Sequence, residues 1–159
     1  MIKDKIKSLR ELKSILSSLK KKGKKVVFTN GCFDLIHAGH AAYLESAKAL
    51  GDILVVAVNS DRSVKRLKGQ GRPVVGLNDR LKIVASLEPV DFVTSFEEDD
   101  PLAIVKELNP DVIVKGGDWK EDEIIGGSYV EKTGGKVMTI PFLEGYSTTA
   151  IIKKIKELK

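Results

Sequence analysis

Two periodicities divide this chain. Between residues 2 and 19, apolar side chains recur at Ile2, Ile6, Leu9, Leu12, Leu16 and Leu19, with Ile15 beside them. That spacing follows one face of a helix, lysines fill the other face, and Gly23 ends the pattern. It predicts a basic amphipathic helix over residues 1–22, packed on the following domain, 23–159, or on a second subunit. From Val26 the period changes. Val26-Val27-Phe28 leads into Gly31, and Ile53 to Val58 is one continuous apolar run, the pattern of a strand buried on both faces of a parallel sheet. Phe92-Val93, Val112-Ile113-Val114 and Val137 to Ile140 read as further strands. Helical patterns lie between them. They run over residues 41–50 closed by Gly51, to about Leu67 after a Ser60 or Asp61 cap, and over about 79–87 after Asn78. Others run from Pro101 to about Leu108, over about 129–132 and over about 147–158. Strands alternating with helices, joined by right-handed crossovers, predict an α/β fold with a doubly wound parallel sheet of about five strands and an extra N-terminal helix.

Composition narrows the function classes. A chain of 159 residues is long enough for one well-packed domain. No apolar run reaches the length of a membrane span and no secretory signal is visible, so neither membrane insertion nor secretion is expected. One cysteine, Cys32, allows no intrachain disulfide, in keeping with a reducing, cytoplasmic setting. The net charge of +5 suggests nucleic acid at first, but its distribution argues against it. The first 25 residues hold ten Lys/Arg and two Asp/Glu, so the rest of the chain is slightly acidic, and no aromatic residues interleave with the lysines.

Candidate chemistry concentrates between Gly31 and His40. A strand, a glycine turn and a helix N-terminus follow one another there, which directs unpaired backbone amides and the positive end of a helix dipole outward, as a phosphate site requires. His37 and His40 are the two histidines of the chain, three residues apart, so both imidazoles reach one anion. Gly39 between them, lacking Cβ, lets a phosphate come close to the backbone. A hydrogen-bonded structural pair is the plainer alternative. Zinc would need more ligands than Cys32 and Asp34 add, so no metal site is expected here. Cys32 itself reads as a small space-filling side chain or a reactive thiol.

Other segments bear on a site at the strand ends. Asn59 follows the second strand, at the edge where open α/β sheets bind ligands. Lys65 precedes a loop, Lys68 to Pro73, that is expected to be mobile; on its own it reads as a solvated surface lysine. Arg80 reads alone as an exposed helix residue. In Lys115-Gly116-Gly117-Asp118-Trp119, paired glycines admit a ligand to the backbone, Asp118 can accept from a ribose or base, and Trp119 offers an apolar face. Ser147-Thr148-Thr149 opens the last helix as an N-cap.

Gly31-Cys32-Phe33-Asp34-Leu35-Ile36-His37-Ala38-Gly39-His40, together with the segments above, resembles the signature of the cytidylyltransferase-like nucleotidyltransferases over roughly residues 23–156. The resemblance implies a Rossmann-like nucleotidyltransferase fold and a site for a nucleoside triphosphate. It implies His37, His40 and Lys65 as catalytic groups. Gly31, Cys32, Phe33, Gly39, Gly117, Asp118, Ser147, Thr148 and Thr149 would bind nucleotide and phosphate, and Asp34, Asn59 and Arg80 are candidates to face the acceptor. Within the superfamily, the segments around Phe28–Asp34, Val114–Asp118 and Glu144–Thr149 are most similar to the D-glycero-β-D-manno-heptose 1-phosphate adenylyltransferases. That implies transfer of AMP from ATP with Mg²⁺ to a sugar 1-phosphate, ADP-heptose and pyrophosphate as products, and a separate sugar kinase as pathway partner; a homo-oligomer, a dimer, is also expected. Cytidylyltransferases for glycerol 3-phosphate or another polyol phosphate share these motifs. A non-catalytic nucleotide-binding module would keep the pocket without turnover.

Overall fold

The computed structural model describes residues 1–117 and 119–158. Five parallel strands form the sheet: β1 (Val26–Gly31), β2 (Ile53–Asn59), β3 (Phe92–Phe96), β4 (Val112–Gly116) and β5 (Lys136–Ile140), in the order β3-β2-β1-β4-β5. The chain therefore winds outward from β1 in one direction through β2 and β3, then returns to the other side of β1 with β4 and β5. This is the doubly wound sheet expected from the sequence.

Alternating strand residues feed two separate cores. Val26, Phe28, Val55, Ala57 and Ile113 point to one face, where Leu12, Leu16, Ile104, Val105, Leu108 and Val130 cover them. Those side chains come from α2 (Leu9–Lys21), α6 (Leu102–Leu108) and α7 (Gly127–Lys132). Val27, Leu54, Val56, Val58, Val112 and Val114 point to the other face. There they meet Leu44 and Ala47 of α3 (Ala38–Lys48), and Val84 and Ala85 of α5 (Leu77–Ser86). Both faces are covered, which is why the strands read as unbroken apolar runs.

The N-terminal stripe departs from the single helix it predicts. A short α1 (Ile2–Lys5) ends at Ile6, and α2 begins after Ser8. Ser8 Oγ accepts from the Glu11 amide at 3.3 Å, while the Glu11 carboxylate accepts from the Ser8 amide at 2.9 Å. This reciprocal cap starts a new helix. Between the helices Ile6 is extended and bridges Val93 in parallel, with the Lys7 amide donating to the Val93 carbonyl at 2.9 Å. The segment thus shields the outer edge of β3, an edge that would otherwise present unpaired backbone. Leu12 and Leu16, fully buried, are part of the core of this domain.

One helix start also shifts. Asn78 lies inside the first turn of α5, and Gly76 occupies the cap, its carbonyl accepting from the Arg80 amide at 3.0 Å. The remaining helices are α4 (Asp61–Lys68), capped by Ser60, and α8 (Thr148–Glu157), capped by Ser147.

Candidate active site

The site lies where the winding direction reverses, at the carboxyl ends of β1 and β4, the place where open α/β sheets leave a crevice. Pairing between these two strands is limited to Val27 with Val112 and Phe28 with Ile113. Beyond that point Tyr43, reaching in from α3, spans them. Its hydroxyl donates to the Val114 carbonyl at 3.2 Å and lies 2.7 Å from Thr29 Oγ1, which then serves as donor to it. Burial pushes the Tyr43 phenol up to about 12, so it keeps the proton these contacts need. The opening held in this way is a cleft of about 680 Å³.

One wall is the turn from β1 into α3. Phe33 adopts a left-handed backbone, φ 48°, and is buried. Its ring lies over Gly31, where a Cβ would stand 3.0 Å from it, and meets the His40 ring at 5.5 Å. The strain of that conformation is held by packing on both sides. His37 caps α3 and His40 stands in its first turn. The His37 amide donates to His40 Nδ1 at 3.4 Å, and the two rings lie 3.9 Å apart. His37 Nδ1 is buried without a hydrogen-bond partner among the described residues. Burial, reinforced by His37, lowers the His40 imidazole to about 4, and burial also lowers His37. Both rings are therefore neutral near pH 7 and offer hydrogen bonds rather than full charges. Gly39 has a different reason from the one the sequence suggests. The space its Cβ would fill is occupied by the His37 ring and by Tyr146 Cβ, each at 3.0 Å.

The second wall is the start of α8. Ser147 Oγ accepts from the Ala150 amide at 3.0 Å, and Thr148 Oγ1 donates to the Leu35 carbonyl at 3.1 Å. That second bond ties α8 to the β1–α3 turn, so two helix N-termini converge on one cleft. Tyr146 stacks near His37 at 6.1 Å, and Ser147, Thr148 and Thr149 all line the cleft.

Residues 28–154 match the family model described as cytidylyltransferase-like. The chain belongs to the cytidylyltransferase-like family. It is 51% identical over 152 residues to a protein named Bifunctional protein HldE from Geotalea uraniireducens, and 54% identical over 146 residues to one of the same name from Salmonella arizonae. These matches cover 96% and 92% of this chain but 31% of each relative, so the chain spans about a third of their length. Among solved structures, a lipopolysaccharide core biosynthesis protein from Thermoplasma volcanium is 37% identical with a TM-score of 0.63. That match covers 79% of this chain and all of the other. A pantoate-beta-alanine ligase from Francisella tularensis, at 16% identity and a TM-score of 0.59 over 95% of this chain and 76% of its own, shares the fold alone.

Within this family member the residues singled out from sequence fall into two groups. Gly31, Cys32, Phe33, Gly39, His37, His40, Ser147, Thr148 and Thr149 surround the cleft together. Four others have different roles or places. Arg80 is not an exposed helix residue; it is fully buried and committed. Its guanidinium donates to the Cys32 carbonyl at 2.5 Å, the Val75 carbonyl at 2.9 Å and Asp61 Oδ1 at 2.8 Å, so it braces the site from behind rather than meeting an acceptor. Asp34 is likewise occupied, accepting from Arg72 Nε at 2.5 Å and from the Val74 and Val75 amides. Burial works to raise its pKa, but the Val75 and Val74 amides and Arg72 outweigh it and hold the carboxyl below its ordinary value. Asn59 lines the cleft yet spends its amide on Ser63 Oγ at 2.9 Å, anchoring the start of α4. Lys65 is exposed and outside the residues lining the cleft, whereas Lys68, one turn further along α4, lines it.

Gly117 has φ +98° and donates its amide to the Ile140 carbonyl at 2.9 Å. The space above it and Gly116 is filled by the Phe142 ring, so the close approach that paired glycines permit is made by an aromatic side chain. Asp118 lies outside the described residues. Cys32 carries a thiol that burial pushes up, despite the cations of Lys68, Arg80, Arg72 and Lys115 around it, so the space-filling reading of this residue fits better than a reactive one.

Lys68, Arg72, Lys115 and Tyr43 line the cleft and were not singled out by sequence reasoning. A signal existed for Lys115. It interrupts an apolar strand one residue before the carboxyl end of β4, where a half-buried lysine needs a reason. Burial lowers its pKa, the mark of a cation held partly away from water, which an incoming phosphate would offset.

Proposed function

We propose that this chain transfers AMP from ATP to a sugar 1-phosphate, heptose 1-phosphate in particular, releasing pyrophosphate and forming ADP-heptose. The observation that carries the reading is the convergence of two helix N-termini, α3 and α8, with Lys68, Arg72 and Lys115 around one cleft at the switch point. That is a binding site for a polyanion. The family membership and the relatives' common name support the choice of reaction. The motif resemblance supports heptose 1-phosphate and ATP over other acceptors and donors.

In the reaction an oxygen of the acceptor phosphate attacks the α-phosphorus of ATP in line. The new P–O bond forms as the bond to the β-phosphate oxygen breaks, and pyrophosphate leaves with that electron pair. No covalent enzyme nucleophile is required. Catalysis comes from alignment and from stabilising charge on the phosphoryl oxygens. His40, in the first turn of α3, and His37 at its cap supply neutral N–H donors, while the lysines and the helix termini supply positive potential, Arg72 being paired with Asp34. Tyr43 and Arg80 hold the cleft walls in place. Magnesium enters with the substrate, as MgATP. Such an ion would keep several waters and take few protein ligands beside the triphosphate.

Among the described residues no helix is long and apolar enough to cross a membrane. With a nucleotide substrate and a sugar phosphate acceptor, the reading places the reaction in the cytoplasm, with a sugar kinase activity supplying the acceptor and a homodimer as the working form. The deciding experiment is pyrophosphate release from ATP or CTP with a panel of sugar and polyol phosphates. Fastest release from ATP with heptose 1-phosphate is expected. Equal or better release from CTP with glycerol 3-phosphate would replace the reading with a polyol phosphate cytidylyltransferase, and binding without turnover on any acceptor would make the chain a binding module.

A further inference from the structure

The lining of the cleft mixes two chemistries. Lys68, Arg72, Lys115 and the histidine pair line it together with Trp119, Ile125, Phe142, Leu143 and Tyr146. These five apolar side chains are all exposed, by about half or more, and Phe142 is 68% exposed. Clustered large apolar side chains open to water at the mouth of a polyanion site need a partner with an apolar, flat surface. Phe142 is the most specific among them. Atoms from one edge of its ring lie against Gly116 and atoms from the other edge and tip lie against Gly117. The ring therefore lies across the two glycines with one face down. A side chain on either glycine would lift it, since Cβ atoms there would stand 2.7 Å and 2.5 Å from the ring. At 68% exposure, most of the side chain is still open to water.

We propose that Phe142, seated on the Gly116–Gly117 ledge, is the stacking platform for the nucleobase of the donor and the residue that favours a purine. This rests on the adenylyl-transfer reading and deepens it. The triphosphate is drawn to the cationic side chains and helix N-termini, and the base needs an apolar surface within the same cleft, which the exposed Phe142 ring offers. Aromatic faces prefer offset stacking on other π surfaces, and a purine offers two rings where a pyrimidine offers one. The glycine pair matters through the ring it seats. The platform supplies selectivity by area rather than by hydrogen-bond pattern, so discrimination at this residue is graded.

The test is calorimetric binding of ATP, CTP and inorganic tripolyphosphate to the wild-type protein, Phe142→Ala and Phe142→Trp, without acceptor. Phe142→Ala should weaken ATP by about tenfold or more, a loss typical of removing one base–aromatic stack, and leave tripolyphosphate unchanged. CTP should weaken less than ATP, and Phe142→Trp should retain ATP binding. Phe142 is exposed, so its truncation leaves the core intact, and melting temperature checks that. An unchanged ATP affinity, or an equal loss for tripolyphosphate, would overturn the platform. A wild-type protein that prefers CTP would instead overturn the adenylyl reading, while a CTP-selective loss in Phe142→Ala would keep the stacking role and remove its purine preference.

Discussion

The imidazoles of His37 and His40 stand 3.9 Å apart between centroids, their planes 31° apart. Neutral rings pack at that distance; two imidazolium ions would repel strongly. The pair is therefore built to be neutral in the free protein, and under the proposed function it would meet phosphate through hydrogen bonds.

The first prediction concerns acid stability. His40 falls to about 4 in the folded protein through burial and the neighbouring His37, and His37 is lowered by burial. Above about pH 6.5, the ordinary histidine value, neither folded nor unfolded chain binds a proton here and stability does not depend on pH through this pair. Between about 6.5 and about 4 the unfolded chain takes up protons that the folded pair refuses, so stability falls as pH falls. The melting temperature should decline from pH 6.5 to 4.5, and His40→Gln should flatten that decline. Asp34 and Asp52, whose pKa values are lowered, contribute mainly below this range. A slope unchanged by His40→Gln would show that the histidines are not buried as described.

The second concerns catalysis by His40. An interaction that strengthens in the transition state lowers kcat when removed and leaves substrate binding nearly alone. His40→Ala should cost on the order of 10²–10³ in kcat, by analogy with loss of an oxyanion donor. Alanine suits the first turn of α3, so the fold should suffer little. Steady-state kinetics with an ATP titration and a melting curve separate the outcomes. Near-normal kcat, or activity lost only with the melting temperature, would make the histidine structural.

Much of the fold was legible because its strands are buried on both faces and its helices are not. The two patterns differ in period, and they locate all five strands. The break after Ile6 was hidden because the apolar stripe runs straight through it, although Ser8 and Glu11 carry the cap signature three residues apart. In the site, the glycine turn and paired histidines announce themselves through spacing. Arg80 and Asp34 do not, because their partners lie far along the chain: Cys32 is 48 residues from Arg80, and Val75 is 41 from Asp34. A charged residue near a motif reads as available until its long-range partners are known. The same limit applies to the glycines, whose empty Cβ positions suit a ligand or a neighbouring ring equally well, and Phe142 and His37 decide which.

The third prediction separates two lysines. Lys115 lies in the cleft and is half-buried, while Lys65 is exposed and outside its lining. Removing a cation that hydrogen-bonds a phosphate costs about 1.5–3 kcal/mol, or roughly ten- to hundredfold in affinity. Lys115→Ala should raise the ATP dissociation constant by that factor and flatten its dependence on salt. Lys65→Ala should change it less than about threefold, as for a screened surface charge. A larger effect at Lys65 than at Lys115 would return the phosphate-binding role to Lys65.

The fourth concerns Arg80, and it tests whether the site is braced from within. The side chain is fully buried and donates to Val75, Cys32 and Asp61. Its role is to join the turn after β1 to the loop before α5 and to the start of α4. Arg80→Ala would leave the Cys32 and Val75 carbonyls without their donor and open a void where the guanidinium lay. Asp61 is about half exposed, so water replaces that partner at small cost. The two carbonyls and the void remain, and together they set a loss of about 3 kcal/mol. For a chain of this size that corresponds to a fall of roughly 6–12 °C in melting temperature. Arg80→Lys should recover little, because one ammonium cannot reach three acceptors arranged for a planar fork. Activity should follow stability. Assayed well below its lowered melting temperature, Arg80→Ala should bind ATP within a few-fold of normal. A variant that keeps its melting temperature but loses acceptor affinity would give Arg80 back the substrate-facing role that the family resemblance suggests.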